Sequence, residues 1–237
     1  MKVDLYVDRV ITKSLFEEVE KDAEKHNKHG KLSASQMGYP LQWQILKARG
    51  IKPAPHDGYT LRKFKRGNQV EDWFISQVPD VVDTQKTLEY RTAIGRCDAI
   101  VDTKDWDFNV GIIPVEVKSV TNANFKHIQN RKESTRGHML QAGFYARALQ
   151  KDFFAIAYIA SDDYRVRMHI HNVCEIEEEL DGIITTFQTQ LDTGVVPVFA
   201  PKEAWHSLIK YNPYPEWAKL SDKEITKKMK EYESTSN

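Results

Sequence analysis

Two apolar, β-branched runs, Cys97 to Val101 and Ile112 to Val120, flank a turn-rich segment from Asp102 to Gly111. Such a pair reads as two antiparallel strands joined as a hairpin. Side chains alternate between the faces of a strand. Glu116 and Lys118 therefore point one way, and Val115 and Val117 point the other way, into a core. Curving the hairpin brings Asp98 beside Glu116 at one edge. This pair demands a sheet with a buried face and puts a polar group at a fixed place on it.

Two carboxylates and an amine at one strand end suit a definite chemistry. Magnesium-like cations want oxygen ligands, keep several waters, and are held by one or two carboxylates plus substrate phosphate. Asp98 and Glu116 supply carboxylates, and the Val117 carbonyl offers a third oxygen. A cation held there would lower the pKa of a water and neutralise charge building on a phosphodiester. Lys118, a compact point charge, would orient that water or stabilise the developing oxyanion. Taken by itself, a Glu-x-Lys on the exposed face of an antiparallel strand is also ordinary surface decoration.

The order of motifs adds to this. Asp98 followed by an apolar strand carrying Glu116-x-Lys118 resembles the PD-(D/E)XK nuclease superfamily. Gln141 and Tyr145 in HMLQAGFYARAL, and Gly67 and Glu71 in RGNQVEDWF, resemble the further motifs of its RecB-like exonuclease branch. The four elements stand in the family's order over roughly residues 33–172. The resemblance implies a restriction-endonuclease-like fold. It makes Glu71 an additional ligand or supporting acceptor, and Gln141 and Tyr145 groups that touch DNA or steady Lys118. Ser33 and Ser35 match the branch's helix start. Where some members carry an iron–sulfur cysteine this chain has Tyr39, and no cysteine lies near YNPYPEWAKL. No iron–sulfur cluster is expected, and packing of Tyr39, Trp43, Tyr211, Tyr214 and Trp217 is expected in its place.

Lysine plus arginine, 34, equals aspartate plus glutamate, 34, so no global field draws the chain onto nucleic acid. Any such affinity must come from a local basic groove. The two cysteines, Cys97 and Cys174, are too few for a disulfide framework. No long apolar span or signal peptide is read, so a soluble, cytoplasmic setting without membrane contact is expected.

Residues 1–30 read as a short strand and then a charged helix capped by Ser14. Arg62, Lys63, Lys65 and Arg66 form a basic knot in a loop before a helix that starts near Gly67, and either grip phosphate or lie solvated. That helix buries Val70, Trp73, Phe74 and Val78. Residues 121–137 read as a polar loop carrying Lys126, Arg131, Lys132 and Arg136, either a flap over a nucleic-acid path or a plain flexible connection. Phe125 and His127 in it would stack on unpaired bases. Helix 138–150 has a buried stripe through Met139, Ala142, Ala146 and Leu149, with Gln141 and Tyr145 adjacent on one face. Residues 152–173 read as two antiparallel strands, the second showing Arg165, Arg167, His169 and His171 on one face, either a basic wall of a DNA groove or simply the wet side of the sheet. Residues 175–191 form an amphipathic helix.

The expected architecture is α/β, a central mixed sheet of about four to five strands flanked by helices. One nuclease domain with a helical N-terminal part spans 1–220, and a charged helix or tail spans 221–237. The expected activity is divalent-metal-dependent hydrolysis of DNA, most simply as an exonuclease on duplex ends or single strands in recombination, repair or phage-type metabolism, alongside recombination or replication proteins. Mg²⁺ or Mn²⁺ would be held by Asp98, Glu116, Val117 and Glu71, and Lys118 would complete the catalytic group. Gln141, Tyr145, Lys126, Arg131, Lys132 and Arg136 would contact substrate. A restriction or junction-resolving endonuclease, or a non-catalytic DNA-end-binding protein, on the same fold are the alternatives.

Overall fold

A computed structural model describes residues 2–26, 30–131, 133–199 and 212–235. Six strands form one mixed sheet: β1 (Leu32–Ser33), β2 (Val81–Tyr90), β3 (Ala93–Asp102), β4 (Ile112–Val120), β5 (Phe153–Ala160) and β6 (Val166–Asn172). The count exceeds the expected four to five because of the two-residue β1 and of β2, which the sequence reading left unassigned.

β2 and β3 form an antiparallel hairpin, and so do β3 and β4, while β5 lies parallel to β4 and antiparallel to β6. All of β5 beyond Phe153 is buried, as a strand covered on both faces should be. Its residues divide by parity. Phe154, Ile156 and Tyr158 enter a core with helices α2 (Leu41–Ala48), α5 (Arg136–Ala148) and α6 (Glu177–Asp192). Ala155, Ala157 and Ile159 join Val115 and Val117 of β4 in a second core under helix α3 (Gly58–Gln77). Val115 and Val117 thus point into a core as their alternation required.

Several local expectations are corrected. Helix α1 runs Lys2–His26 with no opening strand, and Ser14 is inside it rather than at its cap. Helix α3 begins at Gly58, where the Asp57 carboxylate accepts from Thr60 N at 2.8 Å. The basic residues 62–66 are therefore helical, not on a loop. It stops at Val78, before Pro79, as residues preceding proline do. The expected loop over 121–137 contains helix α4 (Asn122–Arg131), and its Phe125 is buried, out of reach of a base.

A last helix, α7 (Asp222–Thr235), sends Ile225 and Met229 into the α5-side core. The chain before it docks on the end of α2: Tyr214 OH donates to the Ile51 carbonyl at 3.3 Å, and Ala54 N to that of Pro213 at 2.7 Å. Of the expected aromatic packing, Trp43, Tyr214 and Trp217 are buried in that core. Tyr39 is half exposed, edge-on to Trp43, and Tyr211 lies outside the described residues. Among the described residues no helix is long and apolar enough to cross a membrane.

Candidate active site

The site begins where two strands part. β2 pairs along one edge of β3 from Ala93 to Val101, save at Asp98, so β1 and β4 share the other edge. β1 pairs with Ala93 and Ile94, and β4 pairs from Ala99 to Asp102. Between them the edge at residues 95–98 has no strand partner. A continued ladder would have set Asp98 opposite Glu116. Instead the Asp98 carboxylate turns into the opening and accepts the Val117 backbone N–H at 2.8 Å. A side chain thus satisfies a donor that the parted ladder leaves open.

The opening lets groups from both faces of the sheet meet. Glu71 arrives on α3, Asp98 on β3, and Glu116, Val117 and Lys118 on β4; all five line one open cavity of about 530 Å³. Lys63, Arg66 and Phe64 of α3 line its mouth. Arg62 and Lys65, by contrast, turn back to α1, pairing with Asp8 at 2.8 Å and Glu18 at 2.6 Å. The expected basic knot is split, half facing the cavity and half holding α1.

Lys118 Nζ pairs with Glu116 and donates to Gln141 Oε1 at 3.1 Å. The Gln141 amide donates in turn to Tyr145 OH at 3.1 Å, which donates to the Arg96 carbonyl at 2.8 Å. This chain ties α5 to the unpaired edge of β3 and fixes the lysine. Gly95 leaves room for it, since a Cβ there would come within 2.8 Å of the Tyr145 ring.

Burial and mutual repulsion dominate the electrostatics. Burial and then Asp98 push Glu71 up to about 7. Burial pushes Glu116 up to about 8, with Asp98 and Glu71 adding to it and Lys118 opposing. Burial also raises Asp98. Burial alone would lower Lys118, but Glu116 and Asp98 outweigh it and hold the amine above its ordinary value, so it stays an ammonium. Behind it, His138 is pushed down to about 3 by burial and by Lys118, and stays neutral. Its Nδ1 meets Thr135 Oγ1 at 2.6 Å and Tyr158 OH at 3.0 Å.

Among the described residues, no three His, Cys, Asp or Glu side chains stand close enough, as they lie, to clasp a metal ion by themselves. One oxygen of each carboxylate is engaged: Asp98 with Val117 N, Glu116 with Lys118, Glu71 with Gln85. The other Glu116 oxygen is buried without a hydrogen-bond partner. An orphaned buried carboxylate oxygen, beside two further carboxylates that raise its pKa, fits an absent cation. Magnesium needs only one or two such ligands, the rest being water and phosphate.

Other expected contacts are not brought to the cavity wall. Tyr145 is buried, and its hydroxyl is bonded to Gln141 and the Arg96 carbonyl. Arg136 is tied to Glu179 and the Glu175 carbonyl, and Lys126 points to solvent on α4. Lys132 and the Arg131 side chain lie outside the described residues. The face of β6 expected to be wet is partly covered, since His169 is buried and both His169 and His171 bond Ser134. The sequence reading missed Gln85. It lies on the unassigned β2, and nothing in its neighbours' pattern marks it.

No family model and no curated protein matches the chain. Solved structures do. The crystal structure of SSO0001 is similar over 89% of this chain and 98% of its own, at 13% identity and a TM-score of 0.53. LHK-Exo in complex with dAMP is similar over 69% of this chain and 91% of its own, at 11% identity and a TM-score of 0.51. The alkaline exonuclease LHK-Exo from Laribacter hongkongensis, in another structure, covers the same 69% and 91% at 13% identity and a TM-score of 0.48. With its mixed sheet and flanking helices, the chain shares its fold with SSO0001 and LHK-Exo.

Proposed function

We propose that the protein is a divalent-metal-dependent DNA nuclease, acting as an exonuclease on DNA ends or single strands. One observation carries the reading: the opening between β3 and β4 gathers Glu71, Asp98, Glu116 and Lys118 on one cavity, on a fold shared with an exonuclease. Asp98, Glu116 and the Val117 carbonyl hold Mg²⁺ or Mn²⁺, with Glu71 completing or supporting the set. The cation, when bound, supplies Lewis acidity toward the phosphodiester and makes water a stronger acid. Lys118 is an ammonium and therefore donates: its N–H groups face the developing negative charge or orient the incoming water. Gln141, itself held by Tyr145, keeps that amine in place, and its other acceptor is Glu116. Lys63 and Arg66 neutralise phosphates at the mouth, and local charge of this kind suffices where net charge is +0.

The test is cleavage of end-labelled single- and double-stranded DNA with Mg²⁺ or Mn²⁺, comparing wild type with Lys118→Ala and Glu116→Gln. Each variant should lose at least about a hundredfold in rate, the scale of one electrostatic transition-state contact. Undiminished cutting by both would refute the assignment. A closed circular single strand should survive where the linear one is degraded; its cleavage would favour an endonuclease on the same site.

A further inference from the structure

We propose that Gln85 is a positioning residue for Glu71, holding one carboxylate oxygen so that the other is presented to the cation. This rests on the reading of the cavity as a metal site. Three observations meet at Gln85. Its φ is +50°, in the left-handed region that non-glycine residues avoid. The other described non-glycine residues with positive φ, Arg91, Gln150 and Tyr164, sit in turns between elements, whereas Gln85 is inside β2. Next, the β2–β3 ladder pairs Thr84 with Ala99 and Lys86 with Cys97, so the turned residue stands opposite Asp98, where no pair forms. Last, the Gln85 side-chain N–H donates to Glu71 Oε1, while its own Oε1 is buried without a partner.

The left-handed residue also shifts the phase of the strand. Up to Gln85 the inward positions are Val81, Asp83 and Gln85; beyond it they are Leu88 and Tyr90. A backbone role alone would be met best by glycine, which takes positive φ freely. Gln in that place adds an amide, and the amide reaches Glu71. A strained backbone, an interrupted ladder and an orphaned carbonyl oxygen converge on the hydrogen bond to that carboxylate. Groups that hold a metal ligand from behind typically change metal affinity or activity by about 10–100-fold when removed.

Gln85→Gly separates the two roles, because it keeps the backbone conformation and deletes the amide. Mn²⁺ binding is followed by the electron paramagnetic resonance signal of the free ion, without DNA, for wild type, Gln85→Gly, Glu71→Gln and the double variant. Gln85→Gly should weaken Mn²⁺ binding by about 10–100-fold, with a Tm at or above that of wild type. In cleavage at limiting Mn²⁺ it should lower kcat and leave KM for DNA little changed. In the Glu71→Gln background the same substitution should add no further loss, as expected when one residue acts through another. Wild-type Mn²⁺ affinity in Gln85→Gly, or an equal loss in both backgrounds, would overturn the assignment. Unaltered binding by Glu71→Gln would overturn it too, leaving Asp98 and Glu116 as the site. A wild-type protein that binds no Mn²⁺ would sink the metal reading itself, and this inference with it.

Discussion

Glu116→Gln should make the cation-free protein more stable while making it inactive. Glu116 is 2% exposed, and its pKa is pushed from 4.5 up to about 8 by burial, even with Lys118 pulling the other way. A carboxyl whose folded pKa is raised contributes stability that is fully present below pH 4.5 and is lost as pH rises through about 8. At about 1.4 kcal/mol per pH unit, the wild-type protein forgoes about 3 kcal/mol at pH 7 through this group. The glutamine side chain can still accept from Lys118 but has no charge to desolvate. Allowing half for relaxation around the buried group, the gain is about 2 kcal/mol. In a chain of this size that is about 4–8 °C in Tm. The assay is thermal unfolding in EDTA at pH 5, 6.5 and 8. The advantage of Glu116→Gln should be near zero at the lowest pH and widen upward. A variant less stable than wild type at pH 8, or a gap that ignores pH, would refute the electrostatic account of the site.

Lys63→Ala and Arg66→Ala should each reduce the slope of log DNA affinity against log salt by about one, measured by fluorescence anisotropy. Arg62→Ala and Lys65→Ala should leave that slope alone, because those side chains are engaged with Asp8 and Glu18. Equal effects from the two pairs would show that the helix does not divide them as described. Gly95→Ala would set a Cβ 2.5 Å from that of Ala34 and 2.8 Å from the Tyr145 ring. A loss of about 1–3 kcal/mol is expected in urea unfolding, the range for overpacking, and unchanged stability would contradict the close packing at that strand.

The parts of the fold legible in the sequence were those where periodicity and chemistry agree. β5 is apolar throughout and proves central; β4 alternates, with Ile113, Val115 and Val117 in the α3-side core and Glu116 and Lys118 at the cavity. Asp98, Glu116 and Lys118 were readable because strand geometry restricts where their side chains can go. The failures have equally local causes. β2 pairs at one edge only and shifts its inward phase at Gln85, so its alternation is broken midway and no single period describes it. Among the described residues, helix α4 carries only two buried side chains, Phe125 and Ile128, among polar neighbours, a stripe too thin to distinguish from a loop. α1 holds α3 through ion pairs whose partners lie 47 and 54 residues apart, a kind of contact that no local pattern announces.

The candidate site also explains a choice that packing alone would not make. Continuing the β3–β4 ladder past Ala99 and Val115 would satisfy backbone donors and acceptors at no electrostatic cost. The chain instead parts the strands, gives the Val117 N–H to Asp98, and puts Asp98 and Glu71 where both raise the pKa of Glu116. Lys118 offsets part of that repulsion, and one buried Glu116 oxygen still has no hydrogen-bond partner. Fully ionised, three carboxylates and one ammonium would carry an excess of negative charge, which is why burial and repulsion push Glu116 up to about 8 and Glu71 up to about 7. A doubly charged cation would turn the set from a net destabilising cluster into a favourable one, because bound ions are the largest local charges in a site and invert its pKa logic. The opening in the sheet is then the structural condition for that exchange. It removes hydrogen-bonded backbone from the place where Glu71, Asp98 and Glu116 meet, and it opens them to the cavity.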